Sequence, residues 1–134
     1  MTQAADGGDA RRLQGAWRYV DSRQDGKSTR PSGVGMIYYG TSGEMICHVS
    51  PGKNVQRAGA KPTPEEALAV LDGHVAYFGT YSIDETAKTV THHRKGSMQP
   101  GDLHDLVRRY RFEGNRLILN PPGTAYEVTW ERFT

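Results

Sequence analysis

Residues 76–97 read AYFGTYSIDETAKTVTHHRKGS, two runs rich in Tyr, Thr, Val and Ile on either side of a polar segment from Asp84 to Lys88. β-Branched and aromatic residues favour extended chain, and the Asp-led polar segment favours a turn, so this stretch predicts two antiparallel strands. Successive side chains on a strand point to opposite faces. Tyr81 and Ile83 share one face before the turn, and Val90 shares a face with His92 and Arg94 after it. The apolar set turns inward, which makes His92 the buried histidine and leaves His93 beside Thr91, toward solvent. A bulge of one residue would exchange the two.

Upstream, GMIYYG (35–40) and EMICHVS (44–50) form a hairpin around Thr41-Ser42-Gly43, with Ile37, Tyr39, Met45, Cys47 and Val49 in one phase. From Ser50 to Pro62 there is no period, and the segment reads as a long basic loop and a candidate lid. Thr63, Pro64 and Glu66 then spell a capping box with proline at the first helical position. The helix it opens would carry Leu68, Val70 and Leu71 toward an apolar partner and stop at Gly73. Near the start, ARRLQGAWRYVDSR (10–23) passes from a short helical approach into an extended run.

Downstream, the segments DLVRRYRFE (105–113), RLILN (116–120) and AYEVTWERF (125–133) are separated by Gly114-Asn115 and by Asn120-Pro121-Pro122-Gly123. Strands in nearly sequential order suggest an all-β fold: an antiparallel up-and-down barrel of roughly eight strands with one short helix, closed so that no edge is exposed. At 134 residues there is room for one such domain, expected over 11–134 after a flexible tail at 1–10.

Charge names no macromolecular partner. The 17 basic and 15 acidic side chains are spread along the chain, so neither a nucleic-acid footprint nor an anionic-membrane patch is expected. RRYRF at 108–112 mixes basic and aromatic residues, but alternation sends Arg109 and Arg111 to the wet face and Tyr110 and Phe112 inward. The opening MTQAADGGDA has no apolar signal core, no stretch approaches the roughly 20 apolar residues of a membrane span, and a single cysteine suits a reducing compartment; a cytoplasmic protein is expected.

Collecting the inward positions gives Tyr39, Tyr81, His92, Arg108, Tyr110, Tyr126 and Trp130, a lumen that is aromatic with a few polar groups. A core built for stability alone would more often use Leu, Ile and Val. An inward guanidinium needs a partner, either a protein carboxylate or a carboxylate, enolate or phenolate brought by a ligand. The histidines lack metal-ligand spacing, no cofactor fingerprint is present, and Cys47 reads as a packed thiol.

The pattern of GAW (15–17), the GMIYY and SGEM hairpin, TPEEALAVLDGHVAYFGTY (63–81), TVTHH (89–93), RRYRFEGNRLIL (108–119) and a terminal TWERF resembles the lipocalin-like domain family of small bacterial and fungal barrels. The resemblance implies a calycin-type barrel in which Trp17 packs at the closed end against Arg132, a structural cation–aromatic contact. Relatives of this architecture act as carriers or as cofactor-free enzymes.

Two functions follow as expectations. In the first, the lumen holds one small hydrophobic or aromatic molecule, with Tyr39, Tyr81, Tyr110, Tyr126 and Trp130 as walls and His92 and Arg108 orienting its polar end. In the second, a cofactor-free isomerase, cyclase or dehydratase uses His92 as proton shuttle, Tyr81 or Tyr110 as donor to a developing oxyanion and Arg108 as fixed charge. The strand exteriors, with Ile46, Phe78, Ile118 and Phe133, offer a homodimer contact.

Overall fold

Alternation is realised in the backbone almost wherever the sequence shows it. In the computed structural model, which describes residues 8–133, the chain runs α1 (Gly8–Leu13), β1 (Gly15–Gln24), β2 (Lys27–Ser28), β3 (Val34–Tyr39), β4 (Glu44–Ser50), α2 (Pro64–Gly73), β5 (Val75–Asp84), β6 (Thr89–Ser97), β7 (Leu106–Glu113), β8 (Arg116–Asn120) and β9 (Tyr126–Arg132). From β3 to β9 each strand pairs with its successor, β1 pairs with β3, and β9 returns to β1. Every pairing is antiparallel. Apart from the two-residue β2, which pairs with the end of β1, the strands close an eight-stranded up-and-down barrel without a free edge.

One end is sealed by α1. Leu13 and Ala10 are buried there, and the Trp17 indole N–H donates to the Leu13 carbonyl at 2.8 Å. The Arg132 guanidinium lies 3.9 Å from the centre of the Trp17 ring, as the resemblance implies. Gly15 sits beneath it at φ +110°, where a Cβ would stand 2.7 Å from Arg132 Nη1, so both the backbone and the space call for glycine. Asp9 ties the helix down: its carboxylate accepts from Tyr110 Oη and from Lys88 Nζ, each at 2.7 Å. The tail expected at 1–10 is therefore helical over its last three residues, and residues 1–7 lie outside the described residues.

The opposite end carries α2, whose capping box forms as read from Thr63 and Glu66. Its packing differs from expectation. No residue of α2 is buried and Leu68 is 59% exposed: the helix packs against no sheet face, and only its last residues, Asp72 and Gly73, border a groove with Arg30, Pro51 and Tyr126. The helix does stop at Gly73 as expected, and His74 caps it in extended conformation, donating its backbone N–H to the Val70 carbonyl. Gln99 Nε2 then clamps the helix end by donating to the carbonyls of Leu71 and His74.

A bulge does occur in the β5–β6 pair, but beyond the histidines: Phe78 opposes Gly96 and Gly79 opposes Arg94, leaving Lys95 without a partner. Tyr81 thus stays opposite His92 and Ile83 opposite Val90, and His92 is 1% exposed while His93 is half-buried on the outside. Gly79 lets the strands close up, since a Cβ there would fall 2.0 Å from the His93 carbonyl oxygen. On the exterior, Ile46 and Phe78 are cross-strand neighbours and about half exposed. Ile118, expected beside them, is buried between Arg111 and Thr129, with the Arg111 side chain held down by Glu113 and Glu127.

Candidate functional site

Above the sealed end, the side chains stop filling the barrel. A cavity of about 190 Å³ lies at the α2 end. Its apolar wall comes from alternate positions on β3, β4, β8 and β9, namely Ile37, Val49, Leu119, Val128 and Trp130. Tyr19 and Tyr126 add aromatic surface. Its polar groups are Tyr77 on β5, His92 and Arg94 on β6, Arg108 on β7, Arg30 from the β2–β3 connection and Gln99 beyond β6.

His92 is the floor. Its Nε2 lies 2.6 Å from Tyr39 Oη and its Nδ1 lies 2.7 Å from Tyr77 Oη, so both ring nitrogens are engaged. A neutral imidazole has one N–H and one lone pair, and here it donates to one tyrosine and accepts from the other. Burial, then the nearby Arg108 charge, lowers the His92 pKa to about 3, which holds the ring neutral across the physiological range. Burial likewise raises both tyrosine hydroxyls well above their ordinary value and pushes the Cys47 thiol up to about 12. The chain Tyr39–His92–Tyr77 is a neutral hydrogen-bonded post, and Cys47 is a packed thiol as its phase indicates.

Arg108 answers the question of its partner. Its Nη1 donates to the carbonyl of the preceding residue, Val107, at 3.0 Å, and no carboxylate pairs with it among the described residues. Arg94 is braced from behind, Nε donating to the His104 carbonyl at 2.9 Å and Nη2 to the Asp102 carbonyl at 3.3 Å, with its guanidinium 5.9 Å from the centre of the Tyr77 ring. Trp130 Nε1 is buried without an acceptor.

Comparison with known proteins agrees with this architecture. A family model described as a lipocalin-like domain matches residues 14–132. The chain belongs to the lipocalin-like domain family. No curated protein matches it. Among solved structures, a DUF4847 family protein from Bacteroides vulgatus ATCC 8482 is similar at a TM-score of 0.54, with 13% identity over 93% of this chain and 96% of that one, a likeness of fold alone.

Within this lipocalin-like barrel the residues expected to line the lumen divide by height. His92, Arg108, Tyr126 and Trp130 line the cavity. Tyr39 is inward but fully buried behind His92, so it supports the floor instead of forming a wall. Tyr81 and Tyr110 belong to the sealed end: Tyr81 Oη donates to the Gly40 carbonyl at 2.7 Å, and Tyr110 Oη donates to Asp9. Alternation reports which face a side chain takes and says nothing about its height along the barrel. By the same phase, Tyr77 could have been found four residues before Tyr81, and Arg94 two after His92. Arg30 sits outside any strand period and carried no signal.

The outer face of the lipocalin-like barrel brings together a constellation that chain order did not suggest. His93 Nε2 lies 2.8 Å from Ser82 Oγ and its Nδ1 lies 3.0 Å from Asp105 Oδ2. Ser82 and Asp105 are exposed, and none of the three belongs to the cavity lining. The loop expected as a lid is mostly exposed and supplies no lining residue; the Ala58 N–H donates to Glu66 on α2.

Proposed function

We propose that this barrel binds one small, partly aromatic or hydrophobic molecule in the cavity at its open end. The observation that carries the reading is the hollow itself: about 190 Å³ bounded by Ile37, Val49, Leu119, Val128 and Trp130, with a few polar groups in its lining. For scale, an apolar cavity of roughly 150 Å³ accommodates benzene, so this one suits a single substituted ring. Family membership supports ligand binding at the level of fold.

The catalytic alternative, a cofactor-free isomerase, cyclase or dehydratase, has less to stand on. A proton shuttle needs a free nitrogen and a pKa near the working pH. Both His92 nitrogens are engaged, its pKa is lowered to about 3, and Tyr81 is committed to Gly40 at the other end of the barrel.

Native mass spectrometry of freshly purified protein, compared with the denatured mass, tests the proposal alongside Val128→Trp, which fills the cavity. Retained small-molecule mass in the wild type and its loss in a folded Val128→Trp variant is the expected result. Identical masses in native and denatured spectra, together with no probe of one ring binding in solution, would refute it.

A further inference from the structure

We infer that the molecule held in this cavity is an organic carboxylate, its hydrophobic body against the apolar wall and its two oxygens among Arg30, Arg94 and Arg108. The inference rests on the binding reading above and adds the charge and head-group chemistry of the ligand.

The first support is an accounting of charges. Three guanidiniums line the cavity and no aspartate or glutamate does. None of the three takes part in an ion pair among the described residues, although Asp72 lines the adjoining groove with Arg30. Asp105, close to the Arg94 brace, is bonded to His93 on the outside. Partly buried guanidiniums are tolerated when an anion or several acceptors meet them. Carbonyls brace Arg94 on its outer side, and the single bond of Arg108 goes to its neighbour Val107, so both retain unused N–H groups.

The second support is independent of charge. Trp130 lines the same cavity and is 3% exposed, yet its indole N–H has no acceptor. Buried donors are nearly always satisfied, so the N–H of this wall residue is a donor that the chain itself does not match. Among the acceptors present, Tyr19 Oη is bonded to Ser22, Tyr77 Oη to His92 and Ser97 Oγ to the Gln99 N–H, which leaves the Gln99 amide oxygen and the Tyr126 hydroxyl beside three guanidiniums. The cavity is therefore rich in donors and poor in acceptors. A cationic amine would meet three like charges. A neutral carbonyl compound would satisfy Trp130 and leave the guanidiniums unmatched. A carboxylate offers two coplanar oxygens to the planar fork of an arginine, and the Arg108 charge already reaches Tyr39, Cys47, Tyr77 and His92 across the shared interior.

The two tryptophans make the test internal to one spectrum. Trp17 Nε1 is already bonded to Leu13, whereas Trp130 Nε1 is free to respond. Titrating the full chain with trans-cinnamate, cinnamamide and cinnamylamine, matched in their hydrophobic body, is followed by the two indole N–H resonances and by calorimetry. The expected result is a shift of the Trp130 resonance with Trp17 unmoved, and affinity for cinnamate at least about tenfold above cinnamamide. Arg108→Gln is expected to bring the pair within about threefold while Arg108→Lys keeps the preference; an unmoved Trp17 resonance certifies each fold. Equal affinities for cinnamate and cinnamamide, or a preference unchanged in both Arg108→Gln and Arg94→Gln, overturn the carboxylate inference and leave the binding proposal standing. Binding of none of the three, with Trp130 silent, overturns both.

Discussion

Replacing His92 by glutamine is expected to flatten the dependence of stability on pH between about pH 7 and about pH 4. In the folded barrel the imidazole is 1% exposed and bonded at both nitrogens, and its pKa falls from 6.5 to about 3. In the unfolded chain the same ring takes up a proton near its ordinary value, so below about 6.5 the unfolded state binds a proton that the folded state refuses. Stability therefore rises with pH through this window: it is fully present above 6.5 and is lost as pH falls toward 3. Each pH unit inside the window is worth about 1.4 kcal/mol, which makes the wild type about 3 kcal/mol less stable at pH 4 than at pH 7 from this group alone. Glutamine can accept from one tyrosine and donate to the other without titrating. Carboxylates held low by their partners, such as Asp9 bonded to Lys88 and Glu127 bonded to Arg111, also lose stability in acid, but equally in both proteins. Urea unfolding followed by tryptophan fluorescence at several pH values gives the difference directly. Parallel curves for wild type and His92→Gln would refute the buried, neutral assignment.

Gly15→Ala is expected to cost about 1–3 kcal/mol, since it forces a non-glycine residue to φ +110° and drives a Cβ to 2.7 Å from Arg132 Nη1, against the Trp17 stack; calorimetric melting checks this, and an unchanged Tm would show that the sealed end does not depend on this approach. Shortening residues 53–61 to a brief Gly-Ser link should alter stability by less than about 1 kcal/mol, because the segment is exposed almost throughout and lines no part of the cavity. A loss of several kcal/mol in denaturant unfolding would mean that the loop packs as part of the barrel.

Much of this protein was legible in one dimension. Period-two patterning placed Ile37, Tyr39, Met45, Cys47, Val49 and Val90 inside, and all six are buried. It also separated His92 from His93, because a buried face fixes register strongly and the bulge at Lys95 falls outside the histidine pair. The Trp17–Arg132 contact followed from the family resemblance and is present. What alternation leaves open is height along the barrel and everything outside a strand. Tyr81 and Tyr110 share the inward phase of Tyr77 and Arg108, yet they serve the sealed end, where α1 offers Asp9 and the β3–β4 turn offers the Gly40 carbonyl. Arg30 reaches the cavity from a connection without a period, and Ser82, His93 and Asp105 meet because two strands and a loop converge. The sequence by itself determined the barrel, its phase and the inward imidazole, since those depend on local alternation and hydrophobic burial. The hollow, the unpaired guanidiniums and the orphan Trp130 N–H were decided by the tertiary structure, because a cavity is the volume left after distant strands have packed.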